Sequence, residues 1–218
     1  MNIFLRLFLA LLSLSGTRAA TVTYTTAVAT VIPDNDASGV LQTIDVSNSG
    51  LASLDSVTLS LATTGGWNGD LYAYLVHDGV LTVLLNRPGR SLSVPDGSHT
   101  SGIAILLDDA APTDVHAAPG ALSGTFQLDG RFIDPSLSLD TTPRTDLLAD
   151  FTPTSPNGTW RLFIADVAGG DEATLVSWSL SLTGPSVPEP TSIGLLSFAS
   201  LLVMRRYRAY TAQPLLLV

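Results

Sequence analysis

The sequence predicts an all-β fold, a jelly-roll β-sandwich of about eight or nine short strands. Apolar or alternating runs of strand length recur along the middle of the chain, and turn residues such as Asn-Gly and Asp-Gly separate them. No part of residues 20–185 has the spacing of an amphipathic helix. The strand-like runs are residues 54–61, 71–77, 81–85, 102–107, 159–167 and 175–182.

Alternation within these runs predicts which side chains are buried. In residues 54–61, Val57 and Leu59 alternate with small hydroxyl residues, as in a strand with one face in the core. In residues 175–182 the same pattern predicts Val176 and Trp178 on the buried face. The dipeptide Asp78-Gly79 lies between two apolar runs and predicts a two-residue hairpin turn.

Composition excludes several classes of function. The chain has no cysteine, which excludes disulfides and thiolate chemistry, and its ten basic residues are all arginine. Residues 20–187 contain seventeen Asp, one Glu and five Arg, a net charge of −13. Such a surface repels nucleic acid and attracts cations, so no nucleic-acid partner is expected.

The N-terminus has the three parts of a secretory signal peptide, predicted here as residues 1–19. Arg6 precedes a short apolar run, and small residues follow it, with cleavage expected after Ala19. The run is too short to cross a bilayer comfortably, which favours a cleaved signal helix over an anchor.

The C-terminus contains three further segments after the predicted domain at residues 20–184. A Pro-rich motif at residues 185–192 includes Pro188, Glu189 and Pro190, and a hydrophobic segment follows at residues 193–204. An arginine cluster and tail at residues 205–218 complete the chain. The anchor flank is Arg205, Arg206 and Arg208.

This order of segments resembles the PEP-CTERM sorting signal of Gram-negative bacteria. The resemblance implies a short membrane helix, transient inner-membrane anchoring and removal of the tail by an exosortase-like membrane peptidase. A helix over residues 191–204, fourteen residues, would span about 21 Å, less than the roughly 30 Å of a bilayer core. Arginines behind it are expected to stay on the cytoplasmic side. Residues 209–218 extend beyond the arginines, where such tails usually end.

The middle of the chain resembles the proprotein-convertase P domain, also called the P/Homo B domain. The resemblance rests on IPDND at residues 32–36, NGDLYAYL at 68–75, LDDA at 107–110, NGTWRL at 157–162 and LVSWSL at 175–180. It covers nearly the whole predicted domain and implies a β jelly roll. In that family the domain accompanies a subtilisin-like catalytic domain, and nothing of such a catalytic domain is present in this sequence.

Five loop aspartates are candidate calcium ligands. They are Asp34, Asp36, Asp70, Asp108 and Asp109, all at predicted strand ends. Calcium prefers six to eight oxygen ligands from carboxylates and carbonyls, and some members of the resembled family bind calcium in loops of this domain. The alternative is that these aspartates cap turns and solvate the surface.

No catalytic residues are predicted, and the chain is not expected to be an enzyme. His77, His99 and His116 lack a nearby serine elbow or the spacing of zinc ligands. His77 is expected to be a turn residue, and the other two to be solvated in loops.

The predicted function is that of an exported, non-catalytic structural or interaction module, sorted to the cell surface or the exopolysaccharide matrix. Its partners would be exopolysaccharide or a surface protein. Two alternatives are a lectin-like module that binds glycans through Trp67, Tyr72 and Tyr74, and an accessory domain that stabilises a separately encoded protease.

Overall fold

The computed structural model describes residues 18–118 and 120–187. The predicted signal helix, the Pro-Glu-Pro motif, the hydrophobic helix and the arginine cluster lie outside the described residues. Within the described ranges, no helix is long and apolar enough to cross a membrane. One compact unit spans Arg18–Ser186 and contains the complete set of strands given below.

The described residues form nine strands in two sheets, which confirms the predicted all-β sandwich. Sheet A has the order β1-β9-β3-β6-β7 and sheet B the order β2-β8-β4-β5. All pairs are antiparallel except β6 with β7. The strands are β1 (Ala19–Ile32), β2 (Asp36–Val46), β3 (Ser56–Trp67), β4 (Leu71–His77), β5 (Val80–Asn86), β6 (Ser101–Leu107), β7 (Leu122–Phe126), β8 (Gly158–Asp166) and β9 (Ala173–Pro185).

The core lies between the sheets and is built from one face of each strand. Leu59 of β3, Trp160 of β8 and Trp178 of β9 are all buried there, as their alternation with polar residues requires. Each buried side chain of this size contributes about 1.5–3 kcal/mol relative to an exposed one. The strands therefore owe their stability chiefly to this shared interior rather than to disulfides.

The hairpin predicted at Asp78-Gly79 is confirmed. His77 of β4 pairs with Val80 of β5, which leaves two residues in the turn. Both have positive φ, 49° for Asp78 and 81° for Gly79, as a type I′ turn needs.

The predicted burial of Val176 is wrong. Val176 is 38% exposed, whereas its neighbour Leu175 is fully buried. The register of β3 against β9 shifts between Ala62 and Thr63, and the register of β1 against β9 shifts nearby. A one-residue shift reverses the faces of a strand, so the alternation does not continue through this point.

The topology places the predicted ligand positions at opposite ends of the sandwich. β3 pairs with β6, so that Leu59 near the start of β3 lies opposite Leu107, and Trp67 at the end of β3 lies opposite Ser101. Asp70 follows the end of β3, whereas Asp108 follows Leu107. At roughly 3.3 Å per residue, eight residues of strand separate the two ends by about 25 Å.

Candidate functional site

Three carboxylates gather at the end of the sandwich where β8 stops. Asp166 is the last residue of β8, and its position pairs with Asp36 of β2 on one side and Leu71 of β4 on the other. The amide of Val167 donates to the carbonyl of Asp70 at 2.8 Å. Asp34 lies in the turn between β1 and β2, and its charge acts on both Asp70 and Asp166. We call Asp34, Asp70 and Asp166 the acidic end.

Asp166 carries the strongest electrostatic signal of this group. Its side chain is fully buried; Oδ1 accepts a hydrogen bond from the Ala168 amide at 3.2 Å, and Oδ2 has no partner among the described residues. Burial, together with the charges of Asp70 and Asp34, raises the pKa of Asp166 to about 6. Backbone amides of Ala168 and Asn35 partly compensate an ionised Asp166, but among the described residues no side chain of opposite charge forms an ion pair with it.

Asp70 is partly compensated by an arginine. It is 2% exposed, and Arg87 Nη2 lies 3.4 Å from its Oδ1. Burial raises the pKa of Asp70, and the charge of Arg87 only reduces that rise. Arg87 also donates from Nε to the carbonyl of Gly69 at 2.9 Å, which fixes the short 3₁₀ turn that carries Asp70.

Asp34 is held by the loop that joins β8 to β9. Its carboxylate accepts from the amide of Gly170 at 3.1 and 3.4 Å. The following residue, Asn35, has a positive φ of 51°, which turns the chain sharply between β1 and β2. Two loops distant in sequence thus bring Asp34 towards Asp166.

The other three predicted ligands have local structural roles. Asp36 accepts from the Ser38 amide at 2.9 Å, and Asp108 accepts from the Ala110 amide at the same distance. Asp109 caps the 3₁₀ helix Leu148–Phe151 by accepting from the amides of Leu148 and Ala149. Asp108 and Asp109 lie at the opposite end of the sandwich, so the five candidates cannot form one site.

The acidic end is not a ready-made coordination sphere. Across residues 18–118 and 120–187, no group of three or more His, Asp or Glu side chains is arranged to hold a metal ion. The unpartnered Oδ2 of Asp166 and the mutual repulsion of the three carboxylates nevertheless fit a cation. Binding would also need carbonyl oxygens and small movements of the side chains.

A second cluster of polar groups is buried around Asp129. His116 Nδ1 lies 2.8 Å from Asp129 Oδ2, and Arg131 Nη1 donates to Asp129 Oδ1 at 3.1 Å. His116 Nε2 lies 2.8 Å from the carbonyl oxygen of Arg90. The expectation that His116 is solvated is wrong, because it is only 2% exposed.

The partners of His116 favour its doubly protonated form. Both ring nitrogens face oxygen acceptors, and only an imidazolium donates from both. Burial alone would lower the pKa of His116, but its hydrogen bond to Asp129 and the charge of that carboxylate outweigh the burial, so the pKa is raised. Arg131 opposes this effect from the other side of Asp129.

This His–Asp pair resembles part of a catalytic triad but lacks the nucleophile. In a triad the Nε2 of the histidine faces a serine or cysteine side chain. Here Nε2 faces the carbonyl of Arg90 and is shielded from solvent. The arrangement therefore joins three loops and offers no atom for substrate attack.

His77 is also a structural residue. It is 2% exposed and stacks on Trp160, with ring centroids 3.8 Å apart and planes 5° apart. Its Nε2 lies 2.7 Å from the carbonyl oxygen of Ser155 and its Nδ1 lies 3.2 Å from that of Thr159. His77 therefore closes the β4 end over the core rather than ending a solvated turn.

The aromatic residues considered for glycan binding do not form one platform. Tyr74 stacks on Phe163 with centroids 4.6 Å apart, and Tyr72 contacts both rings edge-on. Trp67 instead stacks on His99 at 4.4 Å. Since these rings pack against one another, they favour the packing interpretation.

Sequence reasoning missed Asp166 and Asp129. Asp166 ends a predicted strand beside Val167, and an acidic residue at the end of a buried strand was an available signal. Asp129 stands in an Asp-Gly turn motif, where a solvated turn is the usual expectation. For Asp129 the local sequence therefore gives no signal of burial.

Comparisons with known proteins gave a distant structural likeness only. No family model matches the chain, and no curated protein does. Among solved structures, it is similar to the serine protease of Aeromonas sobria in complex with a chaperone, with TM-score 0.45 and 19% identity over 83% of this chain. A second structure of the A. sobria serine protease gives TM-score 0.44, 19% identity and 82% coverage. The match covers 29% of either solved chain, and a likeness of this size says nothing about function.

The raised pKa of His116 predicts a pH-dependent contribution to stability. A histidine whose pKa is higher in the folded state than its unfolded value of about 6.5 stabilises the fold fully below that pH. The contribution is lost as the pH rises through the folded pKa. We expect His116→Gln to flatten the pH dependence of the free energy of unfolding from about pH 6.5 upwards, measured by urea denaturation.

The exposed His99, replaced in the same way, is the matched control and should leave that pH dependence unchanged. If His116→Gln does not fold, proton NMR titration of the His116 ring in the native protein replaces the comparison. A pKa of His116 at or below that of a histidine in a model peptide would contradict the prediction.

Proposed function

We propose that this chain is an exported, non-catalytic interaction module built on a P-domain-like sandwich. The observation that supports the proposal is the structural role of the two buried histidines. Both ring nitrogens of His77 and of His116 lie within hydrogen-bond distance of oxygen acceptors, and His116 has a backbone carbonyl in the place where a nucleophile would stand. Such groups hold loops in place and leave no base for catalysis.

The partner is a surface component or a separately encoded protease. The P-domain pattern supports a protease as partner, since that family accompanies one. Exopolysaccharide remains the alternative partner, although the packing of Tyr74 on Phe163 leaves less ring face for a sugar. Pull-down from culture supernatant and a glycan array separate the two.

The non-catalytic assignment predicts no hydrolysis by purified residues 18–187. We expect no turnover above buffer of ester, peptide or glycoside substrates, because no nucleophile is paired with a base. Chromogenic assays measure this directly. Turnover that survives repurification but disappears in His116→Gln or Asp166→Asn would contradict the assignment, since those variants remove two buried titratable groups.

We propose further that the acidic end binds calcium. Asp34, Asp70 and Asp166 would supply carboxylate oxygens, with the partnerless Oδ2 of Asp166 as the central ligand. Burial, followed by the charges of Asp70 and Asp34, raises the pKa of Asp166. A divalent cation there would offset both effects on the ionised carboxylate. Its role would be to tie the β1–β2 turn to the end of β8, and so to hold two loops in a defined arrangement for a partner.

Calcium is expected to raise the melting temperature of residues 18–187. At a hundredfold excess over its dissociation constant, a ligand adds about 2.7 kcal/mol of stability, which is roughly 5–10 °C for a domain of this size. The shift should be small in Asp166→Asn and reduced in Asp34→Asn. Because the pKa of Asp166 is about 6, the shift should shrink as the pH falls below that value. Differential scanning calorimetry measures each of these.

Asp108→Asn, at the opposite end, is the matched control and should keep the full calcium shift. Magnesium and sodium chloride control for screening of the net negative charge. An equal shift with all three ions, or an equal shift in Asp108→Asn and Asp166→Asn, would reject the site.

We also propose that the tail is a removable sorting signal. From the sequence, the two prolines around Glu189 are expected to disfavour helical backbone, so that a membrane-embedded peptidase would meet unpaired backbone. The following apolar segment is short for an anchor, which supports a transient role.

The native secreted protein is therefore expected to end near Pro188-Glu189-Pro190 and to lack the arginines. Mass spectrometry of that protein gives its terminus. Replacing the three motif residues with alanine should leave export intact and retain the full tail in the membrane fraction. Mature protein that still contains residues 205–218 would mean that the tail is a plain anchor.

A further inference from the structure

The edges of the two sheets differ in how they are protected. β2 has a register shift between Asp36 and Val40 and carries charge at Asp36 and Asp45. β7 is five residues long. Charges, irregular register and short length are the usual means of preventing an edge strand from pairing with another chain.

The edge of β5 is covered by other parts of the chain. The amides of Asp129 and Gly130 donate to the carbonyls of Leu84 and Val83 at 3.0 Å each. The amide of Val83 in turn donates to Asp146 Oδ2 at the same distance. These bonds engage the outer side of β5 with its own loops.

β1 has none of these protections over its first part. It is fourteen residues long, and no other strand of the described residues pairs with its outer side. From Ala19 to Ala27 its register against β9 is unbroken, and this run contains no charged residue and no proline. The irregularity comes only afterwards, between Ala27 and Thr30, where Ala29 has a φ of 51°.

The core-facing side chains of this run are incompletely covered. Val22 and Tyr24 pack against the core but remain partly exposed, whereas Leu180 and Leu182, their partners on β9, are fully buried. A further strand beside β1 would cover Val22 and Tyr24 and continue the same interior.

The outer face of the same strand is neutral. The side chain of Thr21 bonds to that of Thr183, and the side chain of Thr23 to that of Ser181, each at 2.8 Å. On the next strand, β3, Ser56 lies opposite Thr183 and Thr58 opposite Ser181, so each row of hydroxyl groups crosses three strands. This matters because the domain is strongly acidic, so most of its surfaces repel a second copy. Along β1 two copies can meet without opposing like charges.

We propose that this chain forms a two-fold dimer in which the β1 strands of two copies pair antiparallel through residues 19–27. A two-fold axis at the middle of the run places Thr23 opposite Thr23 of the second copy, and the two five-stranded sheets then form one continuous sheet. Pairing satisfies the outer backbone groups of both strands and buries Val22 and Tyr24 at the junction. The proposal does not depend on the function proposed above.

Sedimentation equilibrium of residues 18–187 tests the proposal between about 1 µM and 1 mM, the range of weak to moderate association. Amide hydrogen exchange of β1 is measured over the same concentrations. The native sequence should show a monomer–dimer equilibrium, and protection of the amides of residues 19–27 should increase with concentration. Thr23→Asp and Thr23→Lys should each weaken association roughly tenfold or more, because like charges then face each other across the axis. An equimolar mixture of the two variants should restore the dimer.

Thr58→Lys is the matched control: it places the same charge in the same row and face, two strands from the edge, and should leave association unchanged. A monomer at every concentration overturns the proposal. So does a dimer that Thr23→Asp does not weaken, or that Thr58→Lys weakens equally, since either places the contact elsewhere. A further outcome is protection of β1 that does not depend on concentration and that only the full-length chain shows. It would mean that another segment of this chain covers the edge, and it would also overturn the proposal.

Discussion

The loops of this domain depend on arginine side chains that bind backbone carbonyl groups. Arg87 donates to Gly69, Arg90 to Pro95, Pro135 and Ser138, Arg131 to Leu139 and Asp140, and Arg144 to Leu128 and Asp129. Buried carbonyls outside strands have no ladder partner, and leaving them unpaired is costly. A guanidinium carries five donors in a fixed plane and can satisfy several carbonyls at once, which a lysine ammonium does less well. This requirement gives a physical reason for arginine rather than lysine at these four positions.

The same need for compensation explains why two buried carboxylates of this domain differ. Around Asp129, a histidine and Arg131 face the carboxylate, and the amide of Asn86 donates to it at 3.2 Å, so that its charge is compensated. Around Asp166 no guanidinium makes contact among the described residues, and the nearest charges, those of Asp70 and Asp34, are negative. Two carboxylates that are equally buried are therefore in opposite situations. One is a fixed structural centre, whereas the other stays electrostatically unsatisfied until it takes up a proton or a cation.

Much of the fold could be predicted from the sequence, and each wrong or missing prediction has an identifiable cause. The runs that became β4, β5, β6 and β8 were predicted to within about two residues, because short apolar runs between turn residues are local signals. Val176 was placed on the wrong face because a register shift cannot be seen in one strand alone. The acidic end was predicted only in part: Asp34 and Asp70 were named, whereas Asp109 proved to be a helix cap. His116 was misjudged since the loops that bury it are brought together by contacts between residues distant in sequence.

Charge also divides the surface between the ends and the sheets. The acidic residues lie mainly in loops, where short polar side chains stabilise turns. The outer face of sheet A instead carries small hydroxyl groups that bond to one another across strands, as Thr23 does with Ser181. A protein of this net charge gains solubility from repulsion between copies, but that repulsion is screened beyond roughly 8–10 Å in physiological salt. Two copies whose loops point away from each other can therefore approach along a neutral strand, while the loops at the ends still attract cations. The proposed cation site and the proposed dimer edge thus use different residues of the domain.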